Sequence, residues 1–205
     1  MNKTNYNKKM EEIIKSLAGK KAKLLLHSCC APCSSYVLEY LSSAFDITLY
    51  YYNQNIHPES EYIRRFNELK DFTKEVYKGK IEIISETYTP SEFFDNIHNY
   101  EDKAEGGSRC SLCYHMRLKK AAEKAKEGDF DYFGSVLTIS PHKNAERINL
   151  IGANLEKIYN VKFLYSDFKK NNGFKRSLEI SKEYDLYRQQ YCGCSFSIRN
   201  QAECL

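Results

Sequence analysis

A short apolar strand that runs directly into a cysteine-rich turn constrains this fold more than any other stretch of the chain. The strand covers about residues 23–28, and the turn after it carries three thiols, Cys29, Cys30 and Cys33. Pro32 suits the first turn of a helix, where its missing N–H costs nothing. A thiolate at a helix N-terminus is favoured by the helix dipole. The stretch therefore predicts strand, turn and helix, with thiols placed to bind a metal.

Strands and helices alternate along the rest of the chain, without an internal repeat. The predicted strands cover residues 23–28, 47–52, 81–84, 132–139 and 161–165. This alternation predicts an α/β fold with a doubly wound, mostly parallel, five-stranded Rossmann-like sheet and a C-terminal cysteine-bearing segment. We expect residues 1–20 to form an N-terminal helix or arm. Residues 21–205 are expected to form a single metal-binding catalytic domain.

Four predicted strands end in side chains that can carry chemistry, namely Cys29, Asn53, Ser140 and Asp167. Ligands of doubly wound sheets bind at the carboxyl ends of the strands, which predicts a site there. Asp167 is either a cap of the loop that follows it or a carboxylate that binds metal or carries protons. His57 and His142, each beside a proline in such a loop, are either solvated or metal ligands.

Composition narrows the class of protein. No apolar run approaches the ~20 residues that span a membrane, and residues 1–10 lack the apolar region of a signal peptide. We therefore expect a cytoplasmic protein with no membrane partner. Eight cysteines in a reducing compartment indicate metal or redox chemistry rather than disulfides. The net charge of +4 supports nucleic-acid binding only weakly.

Seven of the eight cysteines fall into three close groups. The second and third groups hold Cys110, Cys113, Cys192 and Cys194, and we predict that all three groups converge on one metal site. A structural zinc site or a [4Fe–4S] cluster uses four ligands. Three thiols then remain to help hold a second metal. Cys204, near the C-terminus, is expected to be peripheral.

Two details of the cysteine groups concern the backbone. Cys29 and Cys30 are adjacent at a strand end, so we expect their side chains to diverge and not to face one ion equally. Gly193 lets the chain turn sharply between Cys192 and Cys194.

Seven basic residues form either a phosphate-binding rim or a solvated face, and their charges fit both interpretations about equally well. They are Lys169, Lys170, Lys175, Arg176 and Arg188, together with Arg64 and Arg109. The turn over residues 28–34 contains no glycine. A phosphate cradle needs glycines so that backbone N–H groups can approach the anion, so ATP is not an expected ligand.

Six motifs together resemble the cobalamin-independent epoxyqueuosine reductases, the QueH-type family. The motifs are HSCCAPC (27–33), YNQNIHP (52–58), RCSLCY (109–114), ISPHKN (139–144), DFKK (167–170) and YRQQYCGC (187–194). They extend over about residues 22–198, and their combination is highly specific. Residues 1–20 and Cys204 lie outside them.

The resemblance implies a HUP-type Rossmann-like domain that holds a [4Fe–4S] cluster beside one additional iron ion. It also implies reductive removal of the epoxide oxygen from epoxyqueuosine at the tRNA wobble position. The family motifs include Asp167 and all seven grouped cysteines as cofactor or metal ligands, without separating the ligands of the cluster from those of the iron. We expect catalytic roles for Asp167, Cys29 and Cys33. The expected partners are tRNA carrying epoxyqueuosine and an external one-electron donor of the ferredoxin or flavodoxin type.

Two other classes of function compete with this interpretation. A thiol–disulfide oxidoreductase would use the Cys30/Cys33 or Cys110/Cys113 pair without iron. A non-catalytic RNA-binding module would hold zinc alone. An ATP-dependent tRNA thiolase on a related fold is disfavoured by the missing glycine loop.

Overall fold

The computed structural model describes residues 4–198 and contains one five-stranded sheet. Its strands are β1 (Ala22–His27), β2 (Phe45–Tyr51), β3 (Glu82–Ser85), β4 (Tyr132–Ser135) and β5 (Lys162–Phe163). All neighbouring strands are parallel, in the order β3-β2-β1-β4-β5. The predicted α/β class with a doubly wound Rossmann-like sheet is confirmed.

Seven helices accompany the sheet within the described range. They are α1 (Tyr6–Ser16), α2 (Ala31–Leu41), α3 (Glu59–Tyr77), α4 (Ser91–Asn96), α5 (Ser108–Glu127), α6 (Ala145–Tyr159) and α7 (Gly173–Glu183). Because parallel sheets are covered on both faces, the central strand β1 carries a run of three leucines, and Leu24, Leu25 and Leu26 are fully buried. Between residues 4 and 198, no helix combines the length and the apolar character needed to cross a membrane.

The central strand also decides where a ligand can bind. From β1 the sheet continues to β2 on one side and to β4 on the other, so the connections after β1 and β4 leave in opposite directions and open a crevice between them. The Cys29–Cys33 turn directly follows β1. The turn therefore lies at the switch point, where sheets of this type bind their ligands.

Two predicted elements differ from the structure. The fourth strand was expected to run to residue 139, but Val136–Ile139 form a 3-10 turn instead. The Ser135 hydroxyl accepts a hydrogen bond from the Leu137 backbone N–H over 3.2 Å, and a local bond of this kind competes with the strand ladder. The fifth strand was expected over residues 161–165, but β5 covers only Lys162–Phe163.

The N-terminal segment contains the expected helix, α1. Its Met10 is buried in the core, and the Tyr6 ring stacks on Tyr165 with a centroid distance of 6.4 Å. The division into an arm and a single domain over residues 21–205 stays a prediction. Cys204 lies outside the described residues.

The chain after α7 returns across α3 as a strap, which we define as residues 184–194. The guanidinium of Arg64 stacks on the Tyr187 ring at 3.3 Å, and the Tyr191 hydroxyl donates to the His57 carbonyl oxygen over 2.8 Å. Gly193 has φ +116°, a left-handed conformation that favours glycine. The strap thereby brings the last cysteine pair back to the carboxyl edge of the sheet.

Candidate metal centre

The three thiols after β1 form a compact triad. The sulfur atoms of Cys29, Cys30 and Cys33 all lie within 4.8 Å of one another, and among residues 4–198 this is the one group of three or more potential ligands so close together. The Cys29 and Cys30 sulfurs are 3.8 Å apart. Two ligands of a tetrahedral metal at about 2.3 Å are separated by about the same distance. The triad can therefore hold a metal ion.

The expected divergence of Cys29 and Cys30 is wrong. Alternation of side chains holds only within a strand, and β1 ends at His27. Cys30 is already the N-cap of α2, with φ −175° and ψ 164°. The backbone change between strand and helix turns both thiols toward the same side.

The pKa values of the three thiols in the triad differ. Hydrogen bonds from Cys30 and Cys33 lower the pKa of Cys29 well below its ordinary value. The same contacts with Cys29 raise the pKa of Cys30, and they raise that of Cys33 to about 12. Cys29 is thus the thiol that ionises first. A bound metal would replace the protons of the other two.

Two of the other four cysteines line the same cavity, and the other two are buried nearby. Cys110 and Cys192 line it together with the triad, around a volume of about 230 Å³. Cys113 and Cys194 are buried, and burial raises the pKa of Cys113 to about 12, with Cys192 and Cys194 among the charges that raise it further. The structure thus brings the three cysteine groups together at one edge of the sheet.

Elements of the surrounding fold fix these four thiols. Cys110 and Cys113 lie in the first turns of α5, and the Gly106 N–H donates to the Cys110 sulfur over 3.2 Å. Cys192 and Cys194 are held by the strap, where the His57 N–H donates to the Gly193 carbonyl oxygen over 2.8 Å.

Asp167 follows β5, on the other side of the loop over residues 140–144. Its carboxylate pairs with the Lys169 ammonium at 2.7 Å, and it lines a neighbouring cavity rather than the one around the triad. Both cavities share the loop residues Pro141, His142 and Lys143. Its proposed role as a metal ligand stays a prediction.

The remaining predicted site residues separate into two sets. Ser140 and His142 line the cysteine cavity. His57 lies 3.3 Å from the Tyr88 hydroxyl and packs edge-on against Phe94. Asn53 is completely buried and donates to the Ser28 carbonyl oxygen over 2.8 Å.

The predicted basic rim is only partly free to bind phosphate. Arg176 forms a two-bond ion pair with Glu39, and Arg109 is buried against the Phe196 ring. Arg188 lines the cysteine cavity. Lys170 and Lys175 are exposed.

Sequence reasoning did not single out three cations around the thiols. Lys143 lines the cavity, and although burial alone would lower its pKa, the thiols of Cys192 and Cys29 raise it. Arg65 and Arg117 are buried large side chains. A signal for Arg117 was present, since Cys110, Cys113 and Arg117 have the spacing i, i+3, i+7 that shares one helix face.

The fold and the cavity define a Rossmann-like α/β protein with a cysteine cluster that can bind metal at the carboxyl ends of its strands. A family profile described as Epoxyqueuosine reductase QueH matches residues 24–200. The chain belongs to this family, as its motifs predict. Its membership places it among oxidoreductases that act in tRNA modification.

Individual relatives of the family align with this chain over most of their own length. The Epoxyqueuosine reductase QueH of Streptococcus pyogenes serotype M1 is 45% identical over 205 residues, which cover 97% of this chain and 80% of the relative. That of Staphylococcus epidermidis is 44% identical over 97% of this chain and 87% of its own. The protein of the same description from Thermotoga maritima is 34% identical over 88% of this chain and 92% of its own.

Proposed function

We propose that this protein reduces epoxyqueuosine to queuosine at the wobble position of tRNA, in the cytoplasm, with the cysteine cavity as its active site. The observation that carries the proposal is the convergence of three cysteine groups on one cavity in a chain of the QueH family. The expected electron source is an external one-electron donor of the ferredoxin or flavodoxin type.

The donor set fits the cofactors that we assign to it, a [4Fe–4S] cluster and one additional iron ion. A cluster of this type takes four thiolates, and seven cysteines leave three more ligands for the iron. Asp167 is proposed as a hard oxygen ligand of that iron. The ligands of the cluster and the iron ion together would be Cys29, Cys30, Cys33, Cys110, Cys113, Asp167, Cys192 and Cys194.

The reaction defines what the site must provide. Conversion of the epoxide into an alkene breaks both C–O bonds, consumes two electrons and two protons, and releases water. When bound, the metal centre would supply the electrons and a Lewis acid for the oxygen. The protein must therefore bind the modified base, deliver protons and exclude competing water.

Residues of the cavity wall suit these tasks. The ammonium of Lys143 places positive charge on the cavity wall, where it would stabilise the negative charge that develops on the epoxide oxygen. Tyr114 lines the same wall and is buried. Burial raises the pKa of the Tyr114 phenol above its ordinary value, so Tyr114 keeps its proton and can donate a hydrogen bond to the substrate.

A reductant-driven assay tests the proposal directly. Protein purified without oxygen is mixed with tRNA that carries epoxyqueuosine and a low-potential chemical reductant, and the digested nucleosides are measured by mass spectrometry. We expect queuosine to form with the wild-type protein and with Cys204→Ser, which lies outside the family motifs, but not with Cys29→Ser.

Different outcomes would favour the competing functions. Turnover by metal-free protein with a dithiol would indicate a thiol–disulfide oxidoreductase. A colourless protein that contains only zinc, binds tRNA and forms no queuosine would indicate a non-catalytic module.

A further inference from the structure

Arg117 is a permanently charged side chain buried inside the protein. It lies on α5 one turn after Cys113, and only 1% of it is exposed. A buried charge is costly unless a group of opposite charge compensates it. The groups around Arg117 therefore decide how its buried charge is compensated.

The hydrogen-bond partners of Arg117 given by the geometry are neutral. Its Nη2 donates to Asn53 Oδ1 over 2.6 Å, and its Nε donates to His27 Nε2 over 3.1 Å. Burial lowers the pKa of His27 to about 3, so the ring is uncharged. The Nδ1 of the same ring contacts the Ser135 hydroxyl at 3.0 Å, and its Nε2 also lies 3.2 Å from the Tyr52 carbonyl oxygen. Within residues 4–198, no carboxylate forms an ion pair with Arg117.

The nearby thiols are the groups that can compensate this charge. Cys113 lies one turn before Arg117 on α5, and the Arg117 Nε donates to His27, two residues before Cys29. Burial alone would lower the pKa of Arg117, but the thiols of these two cysteines raise it. These two residues belong to different cysteine groups, one on α5 and one after β1. Arg117 thus lies beneath the place where the groups meet.

The second buried arginine provides an internal comparison. Arg65 has its own carboxylate, since its Nε lies 2.7 Å from Glu61 Oε1. The charge of Arg65 is therefore partly compensated within α3, although the thiol of Cys30 also raises its pKa. The charge of Arg117 is left for the thiols.

We propose that Arg117 is the built-in counter-charge of the metal–thiolate centre and raises the reduction potential of that centre. This inference rests on the proposed function, in which the cysteines hold an electron-accepting centre. Each added electron makes the centre more negative, and a fixed cation in a poorly polarisable interior stabilises the more negative state. Arg117 is a positioning residue, because it acts through Cys113 and Cys29 and not on the substrate.

Two substitutions remove the charge in different ways. Arg117→Gln deletes it. Asn53→Asp keeps the arginine and places a carboxylate where the Asn53 Oδ1 now accepts from Nη2, which neutralises the charge with almost no change in shape. Asn53→Asp loses the bond from Nδ2 to the Ser28 carbonyl oxygen, a cost that thermal melting of the metal-free protein measures separately.

The readout is the midpoint potential of the bound centre, followed by absorbance during an anaerobic redox titration. We expect each variant to shift the one-electron equilibrium at least tenfold toward the oxidised form, which corresponds to a potential lower by about 59 mV. Arg117→Lys, which retains the charge, should restore most of the potential. Arg176→Gln removes a surface charge that Glu39 already pairs and should leave the potential unchanged.

The outcomes of this experiment test the role of Arg117 and the proposed function separately. If Arg117→Gln does not fold, the potential of Asn53→Asp decides, because that variant retains the buried arginine. Equal potentials in the wild-type protein and in these variants would overturn the role of Arg117 while leaving the proposed function intact. A wild-type protein that holds no electron-accepting centre after anaerobic loading would overturn the proposed function, and the counter-charge with it.

Discussion

The guanidinium of Arg65 donates to the carbonyl oxygen of Cys192 over 3.3 Å and thereby joins α3 to the C-terminal strap. The same side chain is only 2% exposed, pairs with Glu61 and lies over the Tyr191 ring. One buried cation therefore holds the strap against the helix. The position of the last cysteine pair depends on this contact.

Arg65→Leu should loosen the strap and destabilise the protein. The substitution leaves Glu61 buried without its partner, and breaking a buried ion pair in this way costs about 3–5 kcal/mol. We expect a loss of that size in the free energy of unfolding, measured by urea denaturation, together with a lower iron content.

Arg64→Ala is the matched control, one residue away on α3. Arg64 is exposed and stacks on Tyr187, and an exposed cation–π contact is worth about 0.5–1 kcal/mol. Iron content that falls equally in both variants would show that the buried contact of Arg65 is not what holds the strap.

Much of the fold could be predicted from periodicity alone. The apolar strand before Cys29 and the alternation of elements gave the sheet class, because a buried parallel strand leaves a run such as Leu24 to Leu26 in the sequence. The ends of β4 and β5 were not predictable. Ser135 caps a 3-10 turn through a side-chain bond, and the loss of strand pairing after Phe163 depends on tertiary contacts.

The thiols of the site could be predicted from their spacing, but their cationic surroundings could be predicted only in part. The spacing of Cys110, Cys113 and Arg117 places Arg117 on the helix face of the thiols. Arg65 reaches the cysteines only through the packing of α3, which no local pattern in the sequence records. The contacts of Asp167 could not be predicted from the sequence either. Its position after a strand was visible in the sequence, whereas its pairing with Lys169 required coordinates.

Asp167→Asn tests whether this carboxylate holds the additional iron. We expect the variant to keep the absorbance of the cluster and its affinity for tRNA, but to lose the lone iron. Turnover should fall by more than about tenfold, since a metal that acts as a Lewis acid supplies several kcal/mol. Lys169→Ala is the control, because it removes the partner of Asp167 and leaves the carboxylate in place. Normal turnover and iron content in Asp167→Asn would identify Asp167 as a cap of its loop.

Two exposed lysines that follow Asp167 in the chain, Lys170 and Lys175, should contribute to tRNA binding. Replacing Lys170 and Lys175 together by Ala should weaken binding and reduce the slope of log affinity against log salt by about 1.5, since each phosphate contact contributes about 0.7–0.9. Arg176→Ala should change the slope less, because Glu39 already pairs that charge. An unchanged slope in the double variant would assign the two lysines to a solvated face. Filter binding at several salt concentrations measures all three proteins.

The ratio of iron to acid-labile sulfide tests the central claim most directly. The protein is purified without oxygen, its queuosine-forming activity is confirmed, and iron and sulfide are measured in the same sample. Because seven cysteines exceed the four ligands of one cluster, we predict more iron than sulfide, and a loss of both in Cys110→Ser and Cys113→Ser. A ratio of one in fully active wild-type protein would contradict the two-metal site.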